Sequence, residues 1–371
     1  MASHPCATLA RRLAQATHTR ASEWIILERA REGMQLAFSA LSGGSVVTQA
    51  FTCLTAVTPI VASGLHPIYA DISPRTYAID PARLTIPQEA AAIVYQHTFG
   101  ILDTQAARSV FDHARSRGLL CIEDSAHCLA RMARDEDGHP LADLSVHSFG
   151  AEKMTATHAG GAIWVNPRTT HAQWRHELFS AASRLAPPRL RDRFAMRSYH
   201  FQRRAYAHTG ALGEHLKRLA GHAEIWSPPV APIEASGIVP TPRQPSAFVA
   251  HAAADELKRL RDNYALRSSV AKIYDSFFGP VSNSQPLCRY PIEVSADPEV
   301  LLRQMWERGY YVGRWYRPLL FPGVDSPDFA LDTRAIPVST RLSARVINLP
   351  MQISPDGARE LANLLAPYQA G

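Results

Sequence analysis

The chain has 371 residues, of which 46% are hydrophobic, so it can bury a substantial core and is long enough for a large domain and a smaller one. Its net charge of +6 would suit an anionic partner, but no nucleic-acid recognition motif accompanies the charge. No apolar stretch approaches the length of a membrane span, and the five cysteines form no metal-type pairs. We therefore expect a cytoplasmic protein that binds neither nucleic acid nor membrane and holds no metal.

The first 23 residues are predicted to form an N-terminal tail or a helix. Residues 1–22 lack acidic side chains and carry Arg11, Arg12 and Arg20, a composition that organelle transit peptides share. A tail or a first helix is the favoured interpretation, although the apolar pattern between Leu9 and Leu13 is short.

Short apolar runs alternate with helical spacings from Trp24 to Asn166, which indicates a mostly parallel sheet with helices on its faces. Helices are predicted over 32–41, ended by Ser42-Gly43-Gly44, and over 106–117, ended by Gly118. The predicted strands lie at 24–27, 46–47, 68–69, 93–95, 119–122, 143–148 and 160–166. These elements define a large domain that we place over 24–245.

The segment 168–204 contains nine arginines, offset only by Glu177 and Asp192. Such a run is most often a solvated helix face, and the alternative is a guanidinium-rich rim that holds a diphosphate. Prolines at 228, 229, 232, 240, 242 and 245 then mark an irregular crossing.

A smaller C-terminal α/β domain is predicted over 246–371. It begins with a long helix over 247–278. Alternating strands and helices follow at 289–294, 298–308, 345–349 and 355–365.

The most informative residue is Lys153, because it follows an apolar strand and precedes a glycine turn and a second strand. Asp124 ends another apolar run, His127 follows three residues later, and Ser148 ends the strand before Lys153. Since the carboxyl ends of neighbouring strands open on one crevice, these four side chains can face a common ligand. An amine for a Schiff base, a carboxylate for a ring nitrogen and a hydroxyl for a phosphate are what pyridoxal 5'-phosphate requires.

The motifs Ile122-Glu-Asp-Ser-Ala-His127, Ser148-Phe-x-x-x-Lys153 and Gly160-Gly161 resemble the core of the DegT/StrS-type aminotransferases. Those are fold-type I pyridoxal phosphate enzymes that aminate nucleotide-linked keto sugars. Further similar motifs follow in the family's order, at 46–52, 64–71, 96–100, 289–291, 315–318 and 347–350. The resemblance implies a mostly parallel sheet between helices in a large domain, a smaller C-terminal α/β domain, and a homodimer with active sites at the interface.

The resemblance also assigns roles to individual residues. Lys153 would carry the cofactor covalently and move protons. Asp124 would keep the ring nitrogen protonated, because a carboxylate favours a neighbouring cation. His127 would lie near the ring, and Ser148 would donate to the phosphate. Substrate contacts are expected from Tyr316 and from Arg243, which would reach the ligand of a neighbouring subunit. His97 is expected to line either the substrate cleft or a subunit contact.

The chain departs from the family at the phosphate-binding loop, where Arg29-Ala-Arg-Glu-Gly-Met34 replaces the usual Ser-Gly-Thr-Ala-Ala-Leu. We assign Ala30 and Arg31 to the phosphate, since an arginine can replace the threonine as an ion pair and the helix start still offers amides. The alternative is that Arg29 and Arg31 point to solvent.

Two further departures affect the ring and the sugar. Cys53 stands where an aromatic side chain commonly stacks on the ring, so we assign it to the cofactor, with Phe51 as an alternative stacking group. Met351 and Gln352 follow the Asn-Leu-Pro motif, where a histidine is common.

These observations predict an aminotransferase that moves an amino group from Glu or Gln to a nucleotide-linked keto sugar, in polysaccharide or antibiotic biosynthesis. Two alternatives stay open, because a fold does not fix a function. One is amination of a non-sugar carbonyl compound in a specialised pathway, which the altered phosphate loop favours. The other is a non-catalytic regulatory or binding protein that kept the fold, against which the intact Lys153 argues.

Overall fold

The first half of the chain forms an α/β arrangement around a seven-stranded sheet. The computed structural model describes residues 4–155, 157–207, 210–223, 225–281 and 283–370. The strands of the large sheet are β1 Trp24–Leu27, β2 Ser45–Thr48, β3 His66–Tyr69, β4 Ala90–Gln96, β5 Leu120–Asp124, β6 Leu144–Ser148 and β7 Gly161–Val165. Their order is β1-β7-β6-β5-β4-β2-β3. The five strands from β3 to β6 are parallel, and β7 is antiparallel to both of its neighbours.

Helices cover both faces of this sheet, so its central strands are buried on both sides. Every residue of β2, β5, β6 and β7 is buried. The helices up to the proline-rich crossing are α1 His4–Thr17, α2 Ala30–Ser39, α3 Thr58–Ala62, α4 Thr104–Arg115, α5 Ala172–Ser183, α6 Leu190–Ala207 and α7 Gly210–His222. Of these, α2 packs on β6 and β7, and α4 packs on β4 and β5. The predicted fold is thereby confirmed.

The last third of the chain has its own two-stranded antiparallel sheet, built from β8 Arg289–Glu293 and β9 Val346–Pro350. Its helices are α8 Ala247–Lys258, α9 Leu260–Phe278, α10 Pro298–Glu307, α11 Pro337–Arg345 and α12 Pro355–Leu365. A backbone pair between Gly313 and Asn348 ties the loop after α10 to β9.

Two predictions about helices are decided by packing. The single helix expected over 247–278 is wrong, because the helical path stops at Arg259, where φ is −98° and ψ is 5°. The two pieces have different partners, since α8 packs against α1 and α9 packs against α12. The N-terminal segment forms a helix, α1, which buries Leu9 and Leu13.

None of the helices in the described part of the chain combines the length and apolar composition that a membrane span needs. The five cysteines are all free thiols.

A close approach between backbones places the start of α2 against the start of β7. A bridge pairs Arg29 with Gly160, and a Cβ atom at Gly161 would lie 2.2 Å from the Ala30 nitrogen. Such a contact is impossible without moving backbone, so Gly161 is required for this approach. The amino end of α2 is thereby held at the edge of the sheet where β6 ends.

We predict that Gly161→Ala destabilises the protein by about 1–3 kcal/mol, because the added methyl group must push α2 away from β7. The matched control is Gly221→Ala in α7, where a Cβ atom meets nothing within 4 Å. That change should instead stabilise by about 0.5–1 kcal/mol, the usual gain of alanine over glycine inside a helix. Urea unfolding of both variants measures the difference, and equal effects would contradict the packing role of Gly161.

Candidate active site

A cavity of about 390 Å³ opens where the parallel strands β4, β5 and β6 end. Gln96, Asp124 and Ser148 are the last residues of those strands, and all three line the cavity. Gln96 pairs in register with Asp124, so the strand ends are level with one another. The remaining walls include the amino end of α2, the loop that carries Lys153, and the loop after α10.

The Lys153 amine lies 2.7 Å from Nε2 of His127. On the other side of the ring, Nδ1 accepts a hydrogen bond from the Phe99 N–H at 3.0 Å. A backbone N–H can only donate, so the neutral imidazole carries its proton on Nε2. That nitrogen faces Lys153, whose amine is the kind of group that attacks a carbonyl carbon.

The surroundings of His127 keep its ring neutral. Burial lowers the pKa of His127 well below its usual range, and the positive charges of Lys153 and Arg289 lower it further. The Tyr316 hydroxyl lies 3.2 Å from the same Nε2. The Trp315 ring stacks on the imidazole with centroids 5.2 Å apart and planes inclined by 9°.

Asp124 presents a buried carboxylate to the cavity. One oxygen accepts the Ala126 N–H at 2.9 Å. The other oxygen has no hydrogen-bond partner among the residues that the structure describes. Burial raises the pKa of Asp124, against the Ala126 hydrogen bond and the nearby charge of Lys153, which lower it. A cationic donor bound in the cavity would satisfy the open oxygen.

Ser148 and the amino end of α2 both line the cavity. The Ser148 hydroxyl accepts the Gly150 N–H at 3.1 Å, and Ala30 is one of the lining residues of α2. Arg29 and Arg31 also line the cavity, so the alternative that they point to solvent is wrong. Arg29 donates to Ser227, and Arg31 donates to Glu234 and to the Pro229 carbonyl. Both arginines thus hold the proline-rich crossing over this end of the cavity.

Two buried carboxylates lie behind the start of α2. Glu32 accepts the N–H groups of Glu28 and Arg29, each at 3.2 Å, and Glu28 accepts the Ser246 N–H at 2.7 Å. Burial, with repulsion from Glu28 as the second cause, raises the pKa of Glu32 to about 8. Glu32 therefore keeps its proton to a higher pH in the folded protein than an exposed glutamate does.

The side chains predicted to contact a cofactor ring are only partly those that line the cavity. Cys53 lines the cavity as predicted. Phe51, the alternative stacking group, is fully buried and packs edge-on against Tyr316, away from the cavity wall. The aromatic residues that line the cavity are Trp306, Tyr311, Trp315, Tyr316 and Phe321.

Two predicted substrate residues lie outside the cavity walls. His97 is fully buried, and its Nε2 is 2.8 Å from the Glu123 carboxylate, so its predicted position in the substrate cleft is wrong. Arg243 donates to the Pro187 carbonyl at 3.2 Å, beside the start of α6. Its predicted contact with a neighbouring subunit's ligand stays a prediction.

A second cavity of about 290 Å³ adjoins Lys153 on another side. Arg203 is the member of the arginine run that lines it, and Met351 and Gln352 form part of its wall. His158 also borders it and stacks on Tyr199 with centroids 4.4 Å apart. The arginine run therefore contributes one guanidinium here, while others of its members lie elsewhere on the helices.

Several cavity residues were not assigned from the sequence. Arg289 and Trp315 belong to motifs that carried the family resemblance, so that signal could have found them. Asn348 lines the cavity with a buried, unpartnered Oδ1 in the described structure, and it also belongs to such a motif. Tyr311 lies on an irregular loop with no distinguishing pattern, and only the fold brings it to Lys153.

These residues fit pyridoxal 5'-phosphate. Lys153 supplies the amine, Asp124 has an open carboxylate oxygen for a protonated ring nitrogen, and Ser148 and the start of α2 offer a hydroxyl and helix amides for a phosphate. The Trp315 ring and the His127 imidazole also line this cavity.

A model of the DegT/DnrJ/EryC1/StrS aminotransferase family matches residues 8–193. The dTDP-4-amino-4,6-dideoxy-D-glucose transaminase of Shigella dysenteriae is 38% identical over 130 residues, which cover 34% of this chain and 34% of that protein. The GDP-perosamine synthase of Caulobacter vibrioides is 29% identical over 136 residues, 36% of each chain. The chain thus spans about a third of the length of the curated relatives that it matches.

Similarity to solved structures extends over nearly the whole chain. The crystal structure of DesI in the presence of its TDP-sugar product superposes with a TM-score of 0.69 at 20% identity. The superposition covers 99% of this chain and 85% of the other. At this level of identity the similarity concerns the fold.

We predict that ionisation of Glu32 lowers the stability of the folded protein as the pH rises from 4.5 to about 8. These limits are the ordinary pKa of a glutamate and the raised pKa of Glu32 in the folded protein. Folding favours the protonated carboxyl, so its contribution to stability is complete below pH 4.5 and is lost as the folded-state group ionises near pH 8. In Glu32→Gln this contribution to the pH dependence should disappear. Denaturant unfolding from pH 4 to 9 compares the two proteins, and parallel curves would contradict the prediction.

Proposed function

The chain belongs to the DegT/DnrJ/EryC1/StrS aminotransferase family, and we propose that it transfers an amino group from Glu or Gln to a nucleotide-linked keto sugar with pyridoxal 5'-phosphate as cofactor. The observation that carries the proposal is the pairing of the Lys153 amine with a neutral His127, in one cavity with the Asp124 carboxylate. The sugar is supported by the two relatives, whose names specify dTDP- and GDP-linked sugars.

When bound, pyridoxal phosphate supplies a conjugated ring that takes up the electron pair released as the substrate carbon loses its proton. Lys153 would hold the cofactor through Nζ. Once the amino donor has taken its place, the same amine would move a proton at the reacting carbon. His127 supports this work by contacting Nζ through Nε2, which keeps the amine in place.

Asp124 is the partner proposed for the ring nitrogen. Its open oxygen faces the cavity, and its raised pKa shows that the buried charge lacks compensation in the described residues. A protonated ring nitrogen would supply that compensation and would hold the ring in one orientation. The position of Asp124 at the end of β5 is rigid because the strand is buried on both faces.

The phosphate is proposed to lie between Ser148 and the amino end of α2. The Ser148 hydroxyl and the helix amides near Ala30 are the neutral donors there. Arg31 adds a positive charge, and Glu234 forms an ion pair with it. Cys53 would contact the ring from the wall beside it.

The acceptor is proposed to reach Lys153 through the second cavity. Arg203 offers one guanidinium for a diphosphate, and Tyr316 borders the reacting centre from the first cavity. Met351 and Gln352 stand in this wall in place of the usual histidine, so the Gln352 amide is a polar group offered to the sugar there.

We propose that the active protein is a cytoplasmic homodimer. Three large apolar side chains on α6 are exposed, Leu190 by 82%, Phe194 by 56% and Phe201 by 77%, and a partner subunit would cover them. Arg243 lies beside the start of this helix, which is consistent with its proposed reach into a neighbouring active site. The five free thiols suit a reducing compartment.

The two alternative functions differ from this proposal in what would be measured. A non-sugar acceptor would leave cofactor binding and the donor reaction intact, while nucleotide sugars stay unchanged. A regulatory protein without catalysis would bind ligands without product. The geometry at Lys153 favours catalysis over the second alternative, because an amine held against an imidazole proton serves no packing purpose.

We predict that the purified protein takes up pyridoxal phosphate and that borohydride then fixes a pyridoxyl group on Lys153. Peptide mapping by mass spectrometry locates the group. Lys153→Ala should lose the covalent attachment, and Lys272→Ala on α9 is the control that should keep it. Labelling of another lysine, or no uptake by the parent protein, would refute the proposed site.

The same preparation tests the substrates. Incubation with Glu or Gln and a set of dTDP-, GDP- and UDP-linked keto sugars should yield an amino sugar, detected by mass. Cofactor uptake without any sugar product would point to the non-sugar alternative.

A separate prediction concerns Arg31. If it contributes to phosphate binding, Arg31→Ala should weaken cofactor affinity by about 1.5–3 kcal/mol, the range for a hydrogen bond to a charged group. Glu234→Gln should then leave the affinity unchanged or raise it, because it releases Arg31 from its ion pair. Cofactor titration by absorbance measures both. If the two variants weaken binding equally, Arg31 serves to hold the proline-rich crossing instead.

A further inference from the structure

Arg267 is a buried cation on α9, only 2% exposed. Its five hydrogen bonds equal the five N–H groups of a guanidinium. Nε donates to Asn263 Oδ1 at 2.6 Å. The two terminal nitrogens donate to backbone carbonyls, those of Leu287 and Cys288 at 3.0 Å, Met154 at 3.3 Å and Lys153 at 3.5 Å. Among the described residues no carboxylate pairs with Arg267, so carbonyl dipoles compensate its buried charge.

Two neighbours of Arg267 on α9 make contacts of the same kind. The Asn263 amide donates to the Met154 carbonyl at 2.7 Å. The Tyr264 hydroxyl donates to the Cys128 carbonyl at 3.1 Å. Arg267 follows these two residues by four and three positions, the spacing that brings side chains together on one side of a helix. We call Asn263, Tyr264 and Arg267 the α9 clamp.

The α9 clamp holds the two irregular segments that carry Lys153 and His127, whose side chains meet at 2.7 Å. Cys128 follows His127 directly, and the other carbonyls held are those of Lys153 and the next residue. His127 lies in a turn after β5 and Lys153 in a turn after β6, so no regular structure fixes either segment. By contrast, α9 is a helix of 19 residues. It is therefore a rigid element that contacts both segments.

Both segments contain backbone conformations that need support. The angle φ is +30° at Leu129, +54° at Ala130 and +66° at Glu152, all in the left-handed region. Such conformations cost free energy and persist only where the surrounding structure holds them. Tyr264 also contacts the Leu129 carbonyl, and Arg267 contacts the carbonyl of the residue after Glu152. Without these contacts, the two segments could relax and carry their reactive side chains apart.

We propose that the α9 clamp is a set of positioning residues that fixes the distance between the Lys153 amine and the His127 imidazole. The inference rests on the proposed function and deepens it, because it assigns to α9 the alignment of the amine that attacks the carbonyl carbon of the cofactor. A lysine could not replace Arg267, since its three N–H donors cannot meet five acceptors. The role requires no contact between the clamp and a ligand.

The test compares Tyr264→Phe with Tyr274→Phe in the full-length protein. Both hydroxyls belong to α9 and donate to backbone, but Tyr274 meets the Pro350 carbonyl at 3.1 Å, which lies in neither segment. Stopped-flow absorbance measures the rate at which Lys153 captures pyridoxal phosphate. Tyr264→Phe should capture it about tenfold more slowly, because a displaced reacting group loses rate steeply. Tyr274→Phe should capture it at the parent rate.

Two variants of Arg267 separate charge from positioning. Arg267→Lys keeps the positive charge but meets at most three of the five acceptors, so capture should be about tenfold slower or more. Arg267→Met should be slower still. A parent rate in a folded Arg267→Lys would mean that the charge alone matters, and a parent rate in a folded Tyr264→Phe would mean that the carbonyl contacts do not. Either result overturns the inference.

An analogue without the aldehyde distinguishes positioning from general damage to the cavity. Deoxypyridoxine phosphate carries a methyl group in place of the aldehyde, so Lys153 cannot capture it. Its affinity, titrated by the fluorescence of the tryptophans that line the cavity, should stay that of the parent in Tyr264→Phe. Unfolding curves show whether each variant is folded. An equal loss of analogue affinity and capture rate overturns the inference.

Hydrogen exchange provides a readout that needs no cofactor. The amides of residues 125–131 and 149–155 should exchange faster in Tyr264→Phe and Arg267→Lys than in the parent, and Tyr274→Phe should leave them unchanged. Parent-like exchange in both clamp variants overturns the inference. Failure of the parent to take up pyridoxal phosphate would refute the proposed function instead, and hydrogen exchange would still report on the α9 clamp.

Discussion

The turn that follows β4 holds the reactive part of the cavity together through two backbone hydrogen bonds. The Phe99 N–H donates to Nδ1 of His127, and the Phe99 carbonyl accepts the Cys288 N–H at 2.7 Å. The first bond places the imidazole proton opposite Lys153. The second anchors the residue before Arg289, so the start of β8 is fixed to the large sheet. Phe99 thus fixes the position of His127, which contacts Lys153, and also fixes the start of the strand that carries Arg289.

A layer of buried polar groups lies beneath this turn and explains the position of His97. Burial would raise the pKa of Glu123, but hydrogen bonds from His97, Ser145 and the Ala133 N–H hold it below its usual value. Its neighbour Asp124 has the opposite shift. Consecutive strand residues point to opposite faces, so one carboxylate is compensated within the core and the other is left to a ligand. His97 belongs to the compensated side, which is why it supports the site without lining it.

The sequence was sufficient for those features that depend on local pattern or on strand ends. The strands, the parallel sheet and the convergence of Asp124, Ser148 and Lys153 follow from apolar runs and from the geometry of parallel strands. The break at Arg259 could not be predicted, because apolar spacing continues through it and only the separate partners of α8 and α9 require it. Arg29 and Arg31 could not be placed either, since their partners lie some two hundred residues away in the chain.

The first part of the proline-rich crossing lines the cavity with Pro229 and Val230 and is joined to α2 by side-chain contacts. Arg29 and Arg31 reach it from α2, and no strand pairing in the described structure includes it. The strand ends of the sheet position the groups proposed to be catalytic, Lys153 and Asp124, whereas the crossing lies outside the sheet. Insertions, deletions or substitutions in the crossing can therefore reshape the mouth of the cavity while the spacing of Lys153 and Asp124 stays fixed. Such a division lets selectivity for an acceptor diverge between related proteins, or be engineered by loop exchange, without rebuilding the reactive centre.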